Sequence, residues 1–113
     1  MLAMYLGRTY EDVLDAAARL GPRFHRKGMF TPQIIRTAET LGVKLRRKRV
    51  FDTEVDQGIV IVVYDVACED DHVLVLREGL LFDTDLSVWE PATYKATKKA
   101  RLTELLWRDM DNA

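Results

Sequence analysis

Residues 72–85 read HVLVLREGLLFDTD, which is the pattern of two short β-strands joined by a tight turn. Glu78-Gly79 is a dipeptide suited to the two-residue turn of a β-hairpin. The register that follows from this turn sets His72 opposite Asp85. Because side chains alternate between the two faces of a sheet, His72 also shares a face with Asp83. The hairpin therefore predicts a histidine beside two carboxylates.

An imidazole beside a carboxylate is a recurring arrangement in catalysis. The carboxylate holds the ring in one tautomer and favours its charged form. His72 with Asp83 or Asp85 would supply two of the three parts of a nucleophile–base–orienter arrangement. A solvated strand end is the alternative interpretation of the same three residues, and the pattern by itself favours that alternative.

Helical and extended patterns flank the hairpin. Thr9 begins an amphipathic helix that ends before Pro22, and Thr31 begins a second helix that ends at Gly42. The segments VKLRRKRVF and GIVIVVYDV favour strands. The tail from Pro91 favours a short C-terminal helix, with an apolar face made by Leu102, Leu105 and Leu106. N-terminal helices followed by an antiparallel sheet, with a short C-terminal helix, predict an α+β fold.

Length and composition limit the class of protein. The chain has 113 residues, 48% of them hydrophobic, which suits a single domain over residues 1–113. A net charge of −1 requires neither nucleic acid nor a membrane surface as partner. The longest apolar run, Gly58–Tyr64, is too short to span a bilayer, and a single cysteine excludes an internal disulfide framework. These features predict a cytoplasmic protein without a membrane segment or a cofactor.

The single cysteine, Cys68, stands four residues before His72. Three neighbouring acids disfavour its thiolate, so a small buried residue at a strand end is the favoured interpretation. A metal site is disfavoured as well, since the available ligands are too crowded for regular tetrahedral zinc: Cys68, Asp70, Asp71 and His72.

Three segments together resemble a known family. They read AMYLGRTYEDVLDAA, TPQIIRTAETLGVKLRRKR and HVLVLREGLLFDTDLSVWEP. Residues 1–94 are similar to small papain-like cysteine peptidases, nearest to the bacteriocin-processing peptidases and their short phage and bacterial relatives. The LAM..GR.Y..V helix end and the HVxVLxxGLxFDxD hairpin carry most of the resemblance. It implies a papain-like fold, in which a buried helix bearing the nucleophilic cysteine packs on an antiparallel sheet bearing histidine and aspartate.

By position, the resemblance implies that His72 is the general base and that Asp83 orients it, with Asp85 as the alternative. The family's nucleophilic cysteine stands a few residues before the LAM stretch, and an oxyanion-hole glutamine stands before that cysteine. The chain as given starts after both positions, and Cys68 matches neither. We therefore expect a cysteine peptidase-like domain that is inactive as written, because a base and an orienter without a nucleophile do not perform covalent catalysis.

Two alternatives remain open. A non-catalytic module on the same fold would bind a peptide or protein in the cleft between helix and sheet, and its apolar N-terminal helix region could support a homo-oligomer. A small nucleic-acid-binding protein would use the basic run from Lys44 to Arg49. That run lacks interleaved aromatic residues, so a solvated strand face is its favoured interpretation.

Overall fold

The fold is seen in a computed structural model that describes residues 2–7, 11–13, 15–16, 31–65 and 72–108. It combines helices with an antiparallel sheet, so the predicted α+β class is confirmed. The helices are α1 (Leu2–Leu6), α2 (Thr31–Thr40) and α3 (Pro91–Lys98). Residues 11–13 and 15–16 are also helical. The strands are β1 (Leu45–Lys48), β2 (Gly58–Tyr64), β3 (His72–Arg77), β4 (Leu80–Phe82), β5 (Val88–Trp89) and β6 (Ala100–Arg108).

The described residues divide into two compact units. One contains those within Arg47–Trp107, and the other contains those within Leu2–Arg46 together with Arg108. The six strands form one sheet in the order β1-β6-β2-β3-β4-β5. The pairs β2–β3, β2–β6, β3–β4 and β4–β5 are all antiparallel.

In the unit containing Leu2–Arg46, the helices bury residues spaced four apart, which lie on one side of a helix. Leu2 and Leu6 of α1 are buried, and so are Ile34 and Ala38 of α2. The predicted start of α2 at Thr31 is confirmed, and the helix ends at Thr40, two residues before Gly42, which has a positive φ. The predicted start of the preceding helix and its end before the Gly-Pro pair lie outside the described residues.

The predicted hairpin is formed by β3 and β4. Glu78 and Gly79 have φ angles of 52° and 78°, as the mirror-image type of two-residue turn requires. Arg77 pairs with Leu80, and the next two pairs follow in the same register. The turn and the register predicted from the sequence are both confirmed.

The prediction of a C-terminal helix is right for α3 and wrong for the residues that follow it. The helix ends at Lys99, which has left-handed backbone angles. The next nine residues form β6, which lies between β1 and β2 inside the sheet. The three leucines predicted for a helical face therefore belong to a strand: Leu102, Leu105 and Leu106.

A bulge explains why the pattern of β6 resembles a helix. Leu102 lies opposite Val62, and Leu105 lies opposite Val60, although the leucines are three residues apart. Thr103 is the extra residue in β6, and it shifts the register by one position. Opposite residues in an antiparallel pair share a face, so the bulge brings Leu102 and Leu105 to one side. Three-residue spacing on one side is also the mark of an amphipathic helix.

One face of the sheet carries the core of the unit containing Arg47–Trp107. Its members come from four strands and α3: Val60, Val62, Leu74, Leu76, Leu81, Tyr94, Ala100 and Leu105. Full burial of an aliphatic side chain of this size stabilises the fold by about 1.5–3 kcal/mol. His72 lies on the same face, because it pairs with Val62. A polar side chain therefore stands at the edge of a buried apolar cluster.

Candidate active site

His72 and Asp83 are in direct contact. Nε2 of His72 lies 2.8 Å from Oδ1 of Asp83. His72 is the first residue of β3, and Asp83 follows the last residue of β4, so the hairpin register brings them together. Their side chains are 32% and 13% exposed, which leaves the ring accessible while the carboxylate is largely covered.

The hydrogen bonds around Asp83 determine which nitrogen of His72 carries the proton. Asp83 Oδ1 also accepts from the backbone N–H of Thr84 at 2.6 Å and from its hydroxyl at 3.2 Å. An ionised carboxylate has no proton to donate, so Nε2 of His72 is the donor. The neutral ring then has its lone pair on Nδ1. Among the described residues, Nδ1 has no hydrogen-bond partner. Within the described ranges, His72 is thus an imidazole oriented by Asp83, with no partner on its basic nitrogen.

Asp85, the alternative orienting acid, lies apart from this pair. The chain turns after β4, and the N–H of Leu86 donates to the carbonyl of Asp83 at 3.2 Å. The extrapolated pairing of His72 with Asp85 therefore does not form. The Asp85 carboxylate accepts instead from the hydroxyl of Ser87 and from its N–H, the latter at 2.9 Å. These two bonds hold the pKa of Asp85 below its usual value.

Two tyrosines that the sequence interpretation left out join the site. The hydroxyls of Tyr64 and Tyr94 lie 2.7 Å apart. Tyr64 follows Val62 by two residues on β2 and so shares the face of His72, whereas Tyr94 is fully buried in the first turns of α3. Burial chiefly, and then the bond to Tyr64 and the charges of nearby acids, raise the pKa of Tyr94. The alternation of Tyr64 with valines along β2 could have placed Tyr64 on this face from the sequence alone. No sequence pattern predicted that α3 would bring Tyr94 to the same place.

Trp89 connects Tyr94 to the turn that contains Asp85. Its ring meets that of Tyr94 edge-on, with centroids 5.5 Å apart and planes at 83°. Its Nε1 donates to the hydroxyl of Ser87 at 2.8 Å, and Nζ of Lys98 lies 5.4 Å from the ring centroid. Trp89 is partly buried against the core cluster, which agrees with a packing role. Asp85 is thus linked to Tyr94 by a chain of contacts through Ser87 and Trp89.

The remaining sequence candidates for a thiol or a metal site stand just before His72. Cys68, Asp70 and Asp71 lie outside the described residues. Within the described ranges, no group of three or more His, Cys, Asp or Glu side chains is arranged to hold a metal ion.

The basic run from Lys44 to Arg49 contains the predicted strand, β1. Arg47 bonds both carboxylate oxygens of Glu104 on β6. Nζ of Lys48 lies 2.8 Å from Oδ1 of Asp56. A cation that is paired with a carboxylate contributes less to attraction of phosphate, because the two charges offset each other. Two cations of the run are therefore engaged by the protein's own acids.

Comparison of the chain with protein-family models, with curated proteins and with solved structures found no match. No helix in the described part of the chain is long and apolar enough to cross a membrane.

Proposed function

We propose that this chain is a cysteine peptidase-like domain with a papain-like fold, in which His72 is the general base and Asp83 orients it. One observation carries the proposal. The 2.8 Å bond from His72 Nε2 to Asp83 Oδ1 leaves Nδ1, which has no partner among the residues that the structure describes, as the nitrogen that takes a proton. A base held by an acid on one nitrogen and open at the other is the arrangement that activates a thiol.

The chemistry assigned to this pair is acyl transfer from a peptide bond. The thiol proton moves to Nδ1 of His72 as the sulfur forms a bond to the carbonyl carbon. The C–N bond then breaks, and the same proton leaves with the amine. Water next attacks the thioester, its proton passes through His72, and the thiol is regenerated. Asp83 keeps its charge throughout and stabilises the imidazolium that forms twice in the cycle.

Cys68, the single cysteine of the sequence, lies outside the residues that the structure describes. The resemblance to papain-like peptidases favours a cysteine that precedes the LAM stretch, with an oxyanion-hole glutamine before it. The 113 residues alone are then expected to lack peptidase activity.

A comparison of two proteins tests the proposal: the 113-residue chain and a longer one begun at an upstream in-frame start. Cleavage is followed with internally quenched peptides of randomised sequence. We expect cleavage by the longer protein alone, and a fall in kcat of about 10²–10⁴-fold with His72→Ala. Asp65→Asn is the matched control, since Asp65 forms an exposed pair with Arg101. An in-frame stop directly before Met1, or full activity in His72→Ala, would refute the proposal.

A peptide-binding module without catalysis is the second candidate, and exposed apolar residues near Asp83 favour it. Leu86 is 85% exposed and adopts a φ of 71°, and Val88 is 52% exposed. A bulky residue with positive φ is uncommon and often marks a functional segment. Under this proposal, Leu86→Ser weakens binding of a peptide or protein partner without unfolding the chain, while Val50→Ser, at another exposed site, has no effect. Equal binding by the two variants would remove this candidate.

A further inference from the structure

The hydroxyls of Tyr64 and Tyr94 share one hydrogen bond, and their surroundings differ. They lie 2.7 Å apart, and either could donate. Tyr94 is fully buried, whereas Tyr64 is only partly buried. In the part of the chain that the structure describes, the Tyr94 hydroxyl has no hydrogen-bond partner besides Tyr64.

This difference determines the direction of the bond. A buried O–H without an acceptor loses its bond to water and gains nothing in return, whereas the hydroxyl of a partly buried residue can bond to solvent. Tyr94 therefore donates and the oxygen of Tyr64 accepts. The negative charges of Asp83 and Asp85 also favour the protonated form of Tyr94. The proton of Tyr64 must consequently point away from Tyr94.

The position of Tyr64 brings that proton close to the candidate active site. Val62 is paired with His72, and Tyr64 lies two residues further along β2 on the same face. Diagonal neighbours on one face of an antiparallel pair lie about 7–8 Å apart between Cα atoms, which is within the reach of a tyrosine. A peptide lying against His72 is therefore within reach of the Tyr64 hydroxyl.

We infer that Tyr64 donates a hydrogen bond to a carbonyl oxygen of a peptide bound beside His72, and that Tyr94 is a positioning residue that keeps the Tyr64 proton turned outward. The identity of the ligand rests on the proposed function, whereas the direction of the Tyr64–Tyr94 bond does not. No proton is transferred between the two tyrosines. Tyr64 is a binding residue rather than a base, and in the absence of peptide its proton bonds to water.

The direction of the bond is tested without any ligand. Tyrosine labelled with ¹³C at Cζ is incorporated into the 113-residue chain, and the signals are recorded in equal parts of H₂O and D₂O. A slowly exchanging hydroxyl gives a doubled Cζ signal, from its protonated and deuterated forms. We expect doubling for Tyr94 and a single averaged signal for Tyr64. Doubling for Tyr64 alone would overturn the inference, because it would show that Tyr64 is the internal donor.

The ligand is tested with a pool of blocked tetrapeptide amides of randomised sequence, which offer carbonyl oxygens but no terminal carboxylate. We expect the pool to shift the Tyr64 Cζ signal and Tyr64→Phe to raise the apparent Kd about 3–10-fold, as the loss of one hydrogen bond predicts. Tyr64→Phe with Tyr94→Phe should match Tyr64→Phe in affinity while leaving no buried hydroxyl unpaired. Tyr5→Phe is the control, since the Tyr5 hydroxyl accepts from the N–H of Arg108. Both of these residues belong to the unit that does not contain Tyr64.

The outcomes separate this inference from the proposed function. A pool that shifts the ring signals of His72, recorded on a sample with ¹⁵N-labelled histidine, but binds Tyr64→Phe unchanged would overturn the inference and leave the proposed base intact. If the pool shifts the signals of neither His72 nor Tyr64, a peptide is removed as ligand from both the inference and the proposed function. Shifts produced by acetate and not by the blocked pool would assign Tyr64 to a carboxylate, and this too would overturn the inference.

Discussion

Gly58, the first residue of β2, offers the sharpest test of how the sheet is packed. A Cβ atom placed on Gly58 would clash with the carbonyl oxygen of Leu106 and lie 3.0 Å from Cδ1 of Leu105. The first contact is with backbone of the neighbouring strand, so no rotation of a side chain relieves it. Gly58→Ala therefore requires β2 and β6 to separate where both contribute to the core.

The expected cost follows from that geometry. Overpacking by one methyl group typically destabilises a core by about 1–3 kcal/mol. Because the clash is with main chain, we expect a loss of about 3 kcal/mol in the free energy of unfolding. In a domain of this size, that corresponds to a fall in Tm of about 10–20 °C. It corresponds also to a fall of about 1–3 M in the urea midpoint.

Gly79→Ala is the matched control, because it isolates backbone strain from steric clash. Gly79 has a φ of 78°, but a Cβ at this position meets nothing within 4 Å. Only the cost of left-handed angles applies, which is about 1–2 kcal/mol. Urea denaturation of both variants is followed by circular dichroism, with Trp107 fluorescence as a probe next to the clash. A Gly58→Ala variant no less stable than Gly79→Ala would refute the close approach of β2 and β6.

Two further changes probe the sheet. Asp56→Asn should cost about 0.5–1 kcal/mol at pH 7, since the Lys48–Asp56 pair is partly exposed. The pKa of Asp56 is lowered from its ordinary 3.8, chiefly by the bond from Lys48. The stabilisation is therefore complete above 3.8 and is lost as the pH falls through the lower pKa of the folded state. Urea melts should show a larger difference between Asp56→Asn and wild type at pH 7 than at pH 2.5, and an equal difference would contradict the assignment. Thr103→Val removes the hydroxyl that donates to the carbonyl of Ile61 at 3.1 Å. It should lower the free energy of unfolding by about 1 kcal/mol in the same assay. An unchanged urea midpoint would show that the bulge does not depend on this bond.

The contact between His72 and Asp83 could be predicted from the sequence because it depends on local rules. A two-residue turn sets the register of both strands, and alternation of side chains sets the face. The same rule predicts that Asp85 pairs with His72, yet this pair does not form. The rule holds only while the strand continues, and β4 ends before Asp83. Alternation of side chains does not predict where a strand ends.

The strand β6 could not be predicted by periodicity. Its bulge at Thr103 places Leu102 and Leu105 on one face, and the same spacing describes a helix. The choice between the two depends on whether an unpaired edge of β2 is available, and that edge is formed by residues some forty positions earlier in the chain. The sequence carries the leucines, but pairing with β2 decides their conformation.

The sequence by itself determined the α+β class, the hairpin and the meeting of His72 with Asp83, because each follows from contacts close along the chain. Only the tertiary structure decided that β6 lies inside the sheet and that Tyr94 is buried against Tyr64. The physical reason is common to both, since a residue's partner thirty or forty positions away is selected by packing of a shared core, which no local pattern encodes. The contact of His72 with Asp83 and the contact of Tyr64 with Tyr94 are consequences of these two kinds of information, one of each.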